Sequence, residues 1–152
     1  MHSWFQGPVV TAKSRARPLT DHDYERLSEF RYLLRRFLIF NEDAAEQAGL
    51  TIQQHQALLA IKGSGPAKAM TIGDLAKRLC IRHHSGVGLI NRLLSKSLIR
   101  RRTGSEDRRQ VFLVLTPKAE KLLAQLSASH RDEIQRLAPL LKTLLTHFKP
   151  DA

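Results

Sequence analysis

The sequence predicts a mainly α-helical fold carrying one small β-hairpin, and three observations predict it. Polar capping pairs open segments whose apolar residues recur at helical spacing, at Thr20/Asp23, Thr51/Gln54 and Thr71/Asp74. Near residue 80 two such segments are separated by only Cys80-Ile81-Arg82, the spacing of a helix-turn-helix. Directly after the second of them, residues 99–103 and 109–115 read as extended runs joined by Gly104-Ser105-Glu106-Asp107, which supplies turn chemistry.

Each element follows from its residues. Residues 1–19 hold Gly7, Pro8, Pro18 and unpaired basic residues, and read as an extended basic arm. From Thr20 a helix runs to about residue 48, with Leu27, Phe30, Leu34, Phe37, Leu38 and Ala45 in register and Gly49 as its stop. At roughly 40 Å it is long for a small domain, so part of its aromatic stripe is expected to meet a second subunit. A shorter helix spans 51 to Gly63 through Leu58, Leu59 and Ile61, and the stretch GSGPAKAM reads as a loop. The next helix buries Ile72, Leu75, Ala76 and Leu79, and its successor, about 83–97, turns Gly86, Leu89, Ile90 and Leu93 inward. That leaves His84, Ser85, Gly88 and Arg92 on the outer side. In the second extended run Val111, Leu113 and Leu115 share one face. Thr116-Pro117 then opens a helix that Pro139 is expected to break or kink, followed by a last short helix through Leu141, Leu144, Leu145 and Phe148.

Charge narrows the function. The 152 residues carry a formal +11, and residues 77–109 hold ten basic and two acidic side chains, so most of the charge is local. A local basic face on a helix-turn-helix with an adjoining basic hairpin suits double-stranded DNA. No apolar run approaches the roughly 20 residues of a membrane span. MHSWFQGPVV lacks the basic start and apolar centre of a secretory signal, and the single cysteine forms no intrachain disulfide, so a cytoplasmic location is expected.

From Thr51 to about Leu123 the chain resembles the MarR family of bacterial winged-helix transcriptional regulators. The residues that carry the likeness are LTIQQHQALLAI at 50–61, TIGDLAKRL at 71–79 and LIRRRTGSEDRRQVFLVLT at 98–116. In the last of these, Asp107-Arg108-Arg109, five residues, then Leu115-Thr116 match the family's wing signature. The chain departs from the family at Ser97, where glycine is usual; a left-handed backbone there costs roughly 1 kcal/mol more for serine.

The resemblance implies a single domain over 20–152. Its winged helix-turn-helix would occupy 51–116, and helices at 20–48 and 117–149 would form a homodimer. It implies binding to a pseudo-palindromic operator, as a repressor relieved by a ligand. Arg109 would reach the minor groove, braced by Asp107, with Arg108 beside it. The start of the second motif helix places Arg82, His83, His84 and Ser85 at DNA, with Gly88 allowing close approach and Arg92 reaching a phosphate or guanine. Arg100 and Arg102 are backbone-contact candidates; Arg101 is either another or a structural residue paired with an acidic neighbour.

Many relatives take small aromatic or carboxylic effectors between the dimerisation helices and the DNA-binding lobe. Phe30, Tyr32, Arg35, Arg36 and His55 could line such a cleft here. No cofactor or metal is expected: Cys80, His83 and His84 are poor joint ligands, and the other histidines, at 2, 22, 55, 130 and 147, are scattered. Cys80 is either a packed turn residue or a redox sensor. Two other classes stay open, a constitutive DNA-binding architectural protein and an enzyme pairing Cys80 with His83 or His84. The second lacks any phosphate loop or paired acidic motif, so the reading is not an enzyme.

Overall fold

The computed structural model describes residues 18–65, 69–104 and 110–147; Asp107, Arg108, Arg109 and the arm up to residue 17 lie outside them. The elements are α1 (Asp21–Gln47), α2 (Ile52–Gly63), α3 (Ile72–Arg78), α4 (His83–Ser95), β1 (Ile99–Thr103), β2 (Val111–Leu115) and α5 (Pro117–His147). Capping boxes open α1, α2 and α3, at Thr20/Asp23, Thr51/Gln54 and Thr71/Asp74. Each satisfies two backbone groups that the first turn cannot pair within the helix.

The helix ends share a second device. The four described residues with positive φ, Gly49, Gly65, Cys80 and Ser97, each lie just beyond a helix. After α1, α3 and α4 the chain closes a Schellman pair. Leu50, Ile81 and Leu98 donate their N–H to Ala45, Ala76 and Leu93, while Gly49, Cys80 and Ser97 donate to Glu46, Lys77 and Leu94. The left-handed geometry expected at Ser97 is present, with φ +55°, and Cys80 shares it at +54°. Cys80 and Ser97 therefore carry strain that glycine would relieve. Ser97→Gly and Cys80→Gly should each stabilise the fold by about 0.5–1 kcal/mol, after the entropy that glycine adds to the unfolded chain. Melts at matched protein concentration should show a rise of about 2 °C for each, additive in the double variant. A fall in either melting temperature would show that the side chain contributes more than its backbone costs.

The main core lies under the helix-turn-helix, where Leu58, Leu75, Leu89, Ile90, Leu93 and Leu98 are almost fully enclosed. β1 and β2 pair antiparallel with Ile99 opposite Leu115 and Thr103 opposite Val111. Leu113 and Leu115 are buried against this core. The segment read as a loop contributes one more rung, since the Leu113 N–H donates to the Met70 carbonyl at 2.8 Å. Thr116 caps α5 by accepting from the Ala119 N–H at 3.2 Å, while its own hydroxyl donates to the Ser97 carbonyl at 2.8 Å. One side chain thus joins the end of β2 to the strained exit of α4.

α1 and α5 run antiparallel and form a second, smaller core from Leu33, Leu137 and Leu144, with Phe30, Phe37 and Leu141 around it. One expectation is corrected here. α5 continues unbroken through Pro139 to His147. The ring removes one backbone bond, worth about 3 kcal/mol with its clash, but Leu137 and Leu144 hold both sides of it against α1. The α1 stripe also divides. Phe30, Leu33, Phe37 and Ala45 face the protomer's own core, whereas Leu27, Leu34 and Leu38 are exposed. On α5, Ile134 and Leu145 are exposed likewise. A smaller difference is that α4 ends at Ser95.

Candidate nucleic-acid interface

α3 and α4 pack closely because Gly86 is buried at their crossing; a methyl group there would lie 3.2 Å from the Ala76 side chain. That contact aims the opposite side of α4 at solvent. His83, His84, Ser85, Asn91 and Arg92 are exposed on this helix and Gly88 is half-buried. A methyl group on Gly88 would meet only the Arg92 guanidinium, at 3.5 Å, so Arg92 lies back across a bare patch of helix. Unlike α1, α2 and α3, α4 begins at Arg82 with no side-chain cap. Its first-turn N–H groups and the exposed His83, His84 and Ser85 together offer donors to an anion.

The hairpin adds charge beside this helix. Along β1, Arg100 and Arg102 pair with Val114 and Phe112 and lie on the face away from the buried Leu113 and Leu115. Arg101 is on the other face, opposite Leu113, and donates from Nη2 to Asn91 Oδ1 at 3.3 Å. Among the described residues its partner is therefore an amide on the motif helix. Asn91 was not singled out from sequence, since nothing local marks an exposed Asn as the hairpin's tether. The wing pair Asp107 and Arg109, with Arg108, lies outside the described residues.

Cys80 is exposed, not packed into the turn, and no hydrogen bond joins it to His83 or His84 among the described residues. The effector candidates do not form one cluster within the protomer. The Arg36 guanidinium lies 5.9 Å over the Tyr32 ring, Arg35 is exposed, and Phe30 packs into the smaller core. His55 is elsewhere, buried at the meeting of α1, α2 and α5 against His130, their ring centroids 4.7 Å apart. Burial, and then the neighbouring His130, lower the His55 pKa to about 4; burial also lowers that of His130. Glu133, one turn beyond His130, is held below the usual carboxylate range by its bidentate bond from Arg136, at 2.6 and 2.9 Å.

The histidines read as scattered in fact form two pairs. Besides His55/His130, His22 meets His147 edge-on with centroids 4.8 Å apart, and His147 Nε2 lies 2.8 Å from Asp23 Oδ1. No group of three metal-ligating side chains occurs among the described residues. None of their helices is long and apolar enough to cross a membrane.

A helix-turn-helix flanked by a two-stranded hairpin, with its second helix presenting a basic outer face, defines the winged helix-turn-helix class. The model of the MarR family matches residues 48–110. Over that core the chain is similar to the MarR family, and the fold shared with solved MarR-family structures extends through its flanking helices. The regulator FarR of Neisseria gonorrhoeae is 34% identical over 80 residues, which cover 53% of this chain and 53% of that one. The chain thus spans about half the length of the curated relative it matches. Among solved structures, a Staphylococcus aureus MepR variant bound to an oligodeoxyribonucleotide superposes with TM-score 0.63 at 23% identity, covering 86% of this chain and 96% of that one. NadR in complex with 4-hydroxyphenylacetate gives 0.64 at 24%, covering 90% and 93%. The relative and the family model that the chain resembles are those of transcription regulators.

Proposed function

We propose that this protein is a homodimeric, sequence-specific DNA-binding regulator of transcription that acts in the cytoplasm as a repressor. One observation carries the reading. The outer side of α4, from Arg82 to Arg92, is exposed and basic, and Arg100 and Arg102 stand on the adjoining strand away from the core. This pairs a helix sized for the major groove with cations placed for the flanking phosphates. The oligonucleotide in the MepR complex, held by the same fold, supports DNA as the partner. Arg109, braced by Asp107, would enter the flanking minor groove, with Arg108 nearby, as the wing signature suggests.

A small aromatic or carboxylic effector would relieve repression, a reading supported by the ligand in the NadR complex. Because Phe30, Tyr32, Arg35, Arg36 and His55 do not converge within a protomer, such a site would require the second subunit or a rearrangement of the lobes.

The test is selection of bound fragments from genomic DNA, followed by binding of variants to the selected site. The fragments should share a palindrome. Ser85→Ala and Arg92→Ala should relax preference at one base position per half-site, by about 1–3 kcal/mol of discrimination. Arg100→Ala should weaken all sequences alike. If Arg92→Ala shifts every sequence equally, Arg92 is a phosphate contact and base reading lies elsewhere. Fragments without a common palindrome would favour the architectural alternative.

A further inference from the structure

Where α1, α2 and α5 meet, three imidazole nitrogens are buried without a hydrogen-bond partner among the described residues: Nδ1 and Nε2 of His55, and Nε2 of His130. The two rings come from different parts of the molecule. His55 lies on α2, the first helix of the DNA-binding part, and His130 lies midway along α5, which pairs with α1. Phe40 of α1 closes the contact, its ring centroid 5.9 Å from that of His130.

Such a contact suits two neutral rings. A proton on either would place a cation in a buried site, beside a second ring that repels it when charged. The charged groups on the neighbouring elements offer little relief. Glu133 on α5 is engaged by Arg136 and influenced by Arg36 of α1. Lys96, at the end of α4, lies 3.4 Å from Gln54 Oε1, in the residue before His55, and is itself a cation.

We propose that the His55–His130 contact is a proton-operated latch between the DNA-binding part and the α1/α5 pair, so that acidification releases the latch and weakens DNA binding. The DNA half of this proposal rests on the function proposed above; the latch itself does not.

The sign follows from linkage. An opened His55 takes up a proton near its ordinary 6.5, whereas the closed contact excludes it until about pH 4. Between those values opening binds a proton, so each unit of acidification favours the open form about tenfold through His55, and His130 adds in the same direction. From pH 7.5 to pH 5, His55 alone contributes about 30-fold.

The experiment compares wild type with His55→Phe, which keeps an aromatic ring, and with His55→Gln, which keeps polarity, in case one fails to fold. Amide hydrogen exchange over α2 and the middle of α5, corrected for intrinsic rates, is followed from pH 7.5 to 5, with far-UV circular dichroism as a fold check. In wild type, protection should fall by at least the roughly 30-fold that His55 alone supplies while the helical spectrum stays native. In a folded variant the pH dependence should shrink to what His130 alone supplies. Wild-type protection independent of pH, an unchanged dependence in both variants, or global loss of the spectrum at pH 5 would each overturn the latch. Operator affinity measured in parallel should fall in wild type more than in the variant. A latch that opens while affinity holds or rises overturns the coupling to DNA. Absence of DNA binding at every pH counts against the proposed function and leaves the exchange result to decide the latch.

Discussion

Raising monovalent salt from 50 to 200 mM is expected to weaken operator binding by about three orders of magnitude. The basis is a count of phosphates. Arg82, Arg100 and Arg102 are exposed on each protomer, so a dimer brings about six cations to the backbone. Each neutralised phosphate releases counterions and adds about −0.9 to the slope of log K against log salt, which gives about 10³ over a fourfold change. Arg100→Ala removes two contacts from the dimer and should flatten the slope by nearly two. Ser85→Ala removes no charge and should leave the slope unchanged. A shallow slope in wild type, or one that Arg100→Ala leaves intact, would mean that the β1 face does not reach the backbone.

The second large effect concerns assembly. Leu27, Leu34 and Leu38 of α1, and Ile134 and Leu145 of α5, are exposed apolar side chains on two helices that already share a core. Nothing among the described residues covers these faces, and a self-complementary pair of such faces buries each residue twice. The wild type should therefore sediment as a dimer at micromolar concentration, with an interface of roughly 2,000 Å² or more. Replacing both Leu34 and Leu38 by Asp would place four carboxylates in that interface. Lost burial alone, at about 2 kcal/mol per leucine, exceeds 5 kcal/mol in total, or more than 10³ in the dissociation constant. The variant should sediment as monomer or unfold. A folded wild-type monomer at that concentration, or a variant that remains dimeric, would rule out this interface.

What was legible in the sequence was local. Thr51/Gln54 and Thr71/Asp74 announce their helices because both partners of each capping box lie within four residues. The inner face of α4 followed from spacing alone, since Gly86, Leu89, Ile90 and Leu93 all are buried. The left-handed turn at Ser97 was legible through the resemblance, since the family usually carries glycine there. The rest depends on contacts that periodicity does not carry. Leucines facing their own core and leucines exposed outside it have the same spacing along α1, so the sequence showed that the stripe divides but not which residues fall on each side. Pro139 was read as a break because its cost is local, while the packing that outweighs it is tertiary. His55 and His130 looked unrelated because 75 positions separate them, and the Asn91–Arg101 bond joins two elements that each read as complete alone. The wing's tip carries the clearest motif, and its geometry lies outside the described residues.

Asp23 illustrates how far one residue's consequences reach. Its Oδ2 accepts from the Thr20 N–H and hydroxyl and so completes the first turn of α1, while Oδ1 meets His147 in the last turn of α5. The start of α1 and the end of α5 are thus closed on one nearly inaccessible carboxylate. Fraying, which ordinarily starts independently at each terminus, becomes a single event here. Losing the last turn of α5 strips the first turn of α1 of its anchor, and the reverse holds as well. Protease nicking, hydrogen exchange and trimming from either side should therefore all report one common opening free energy for the two ends.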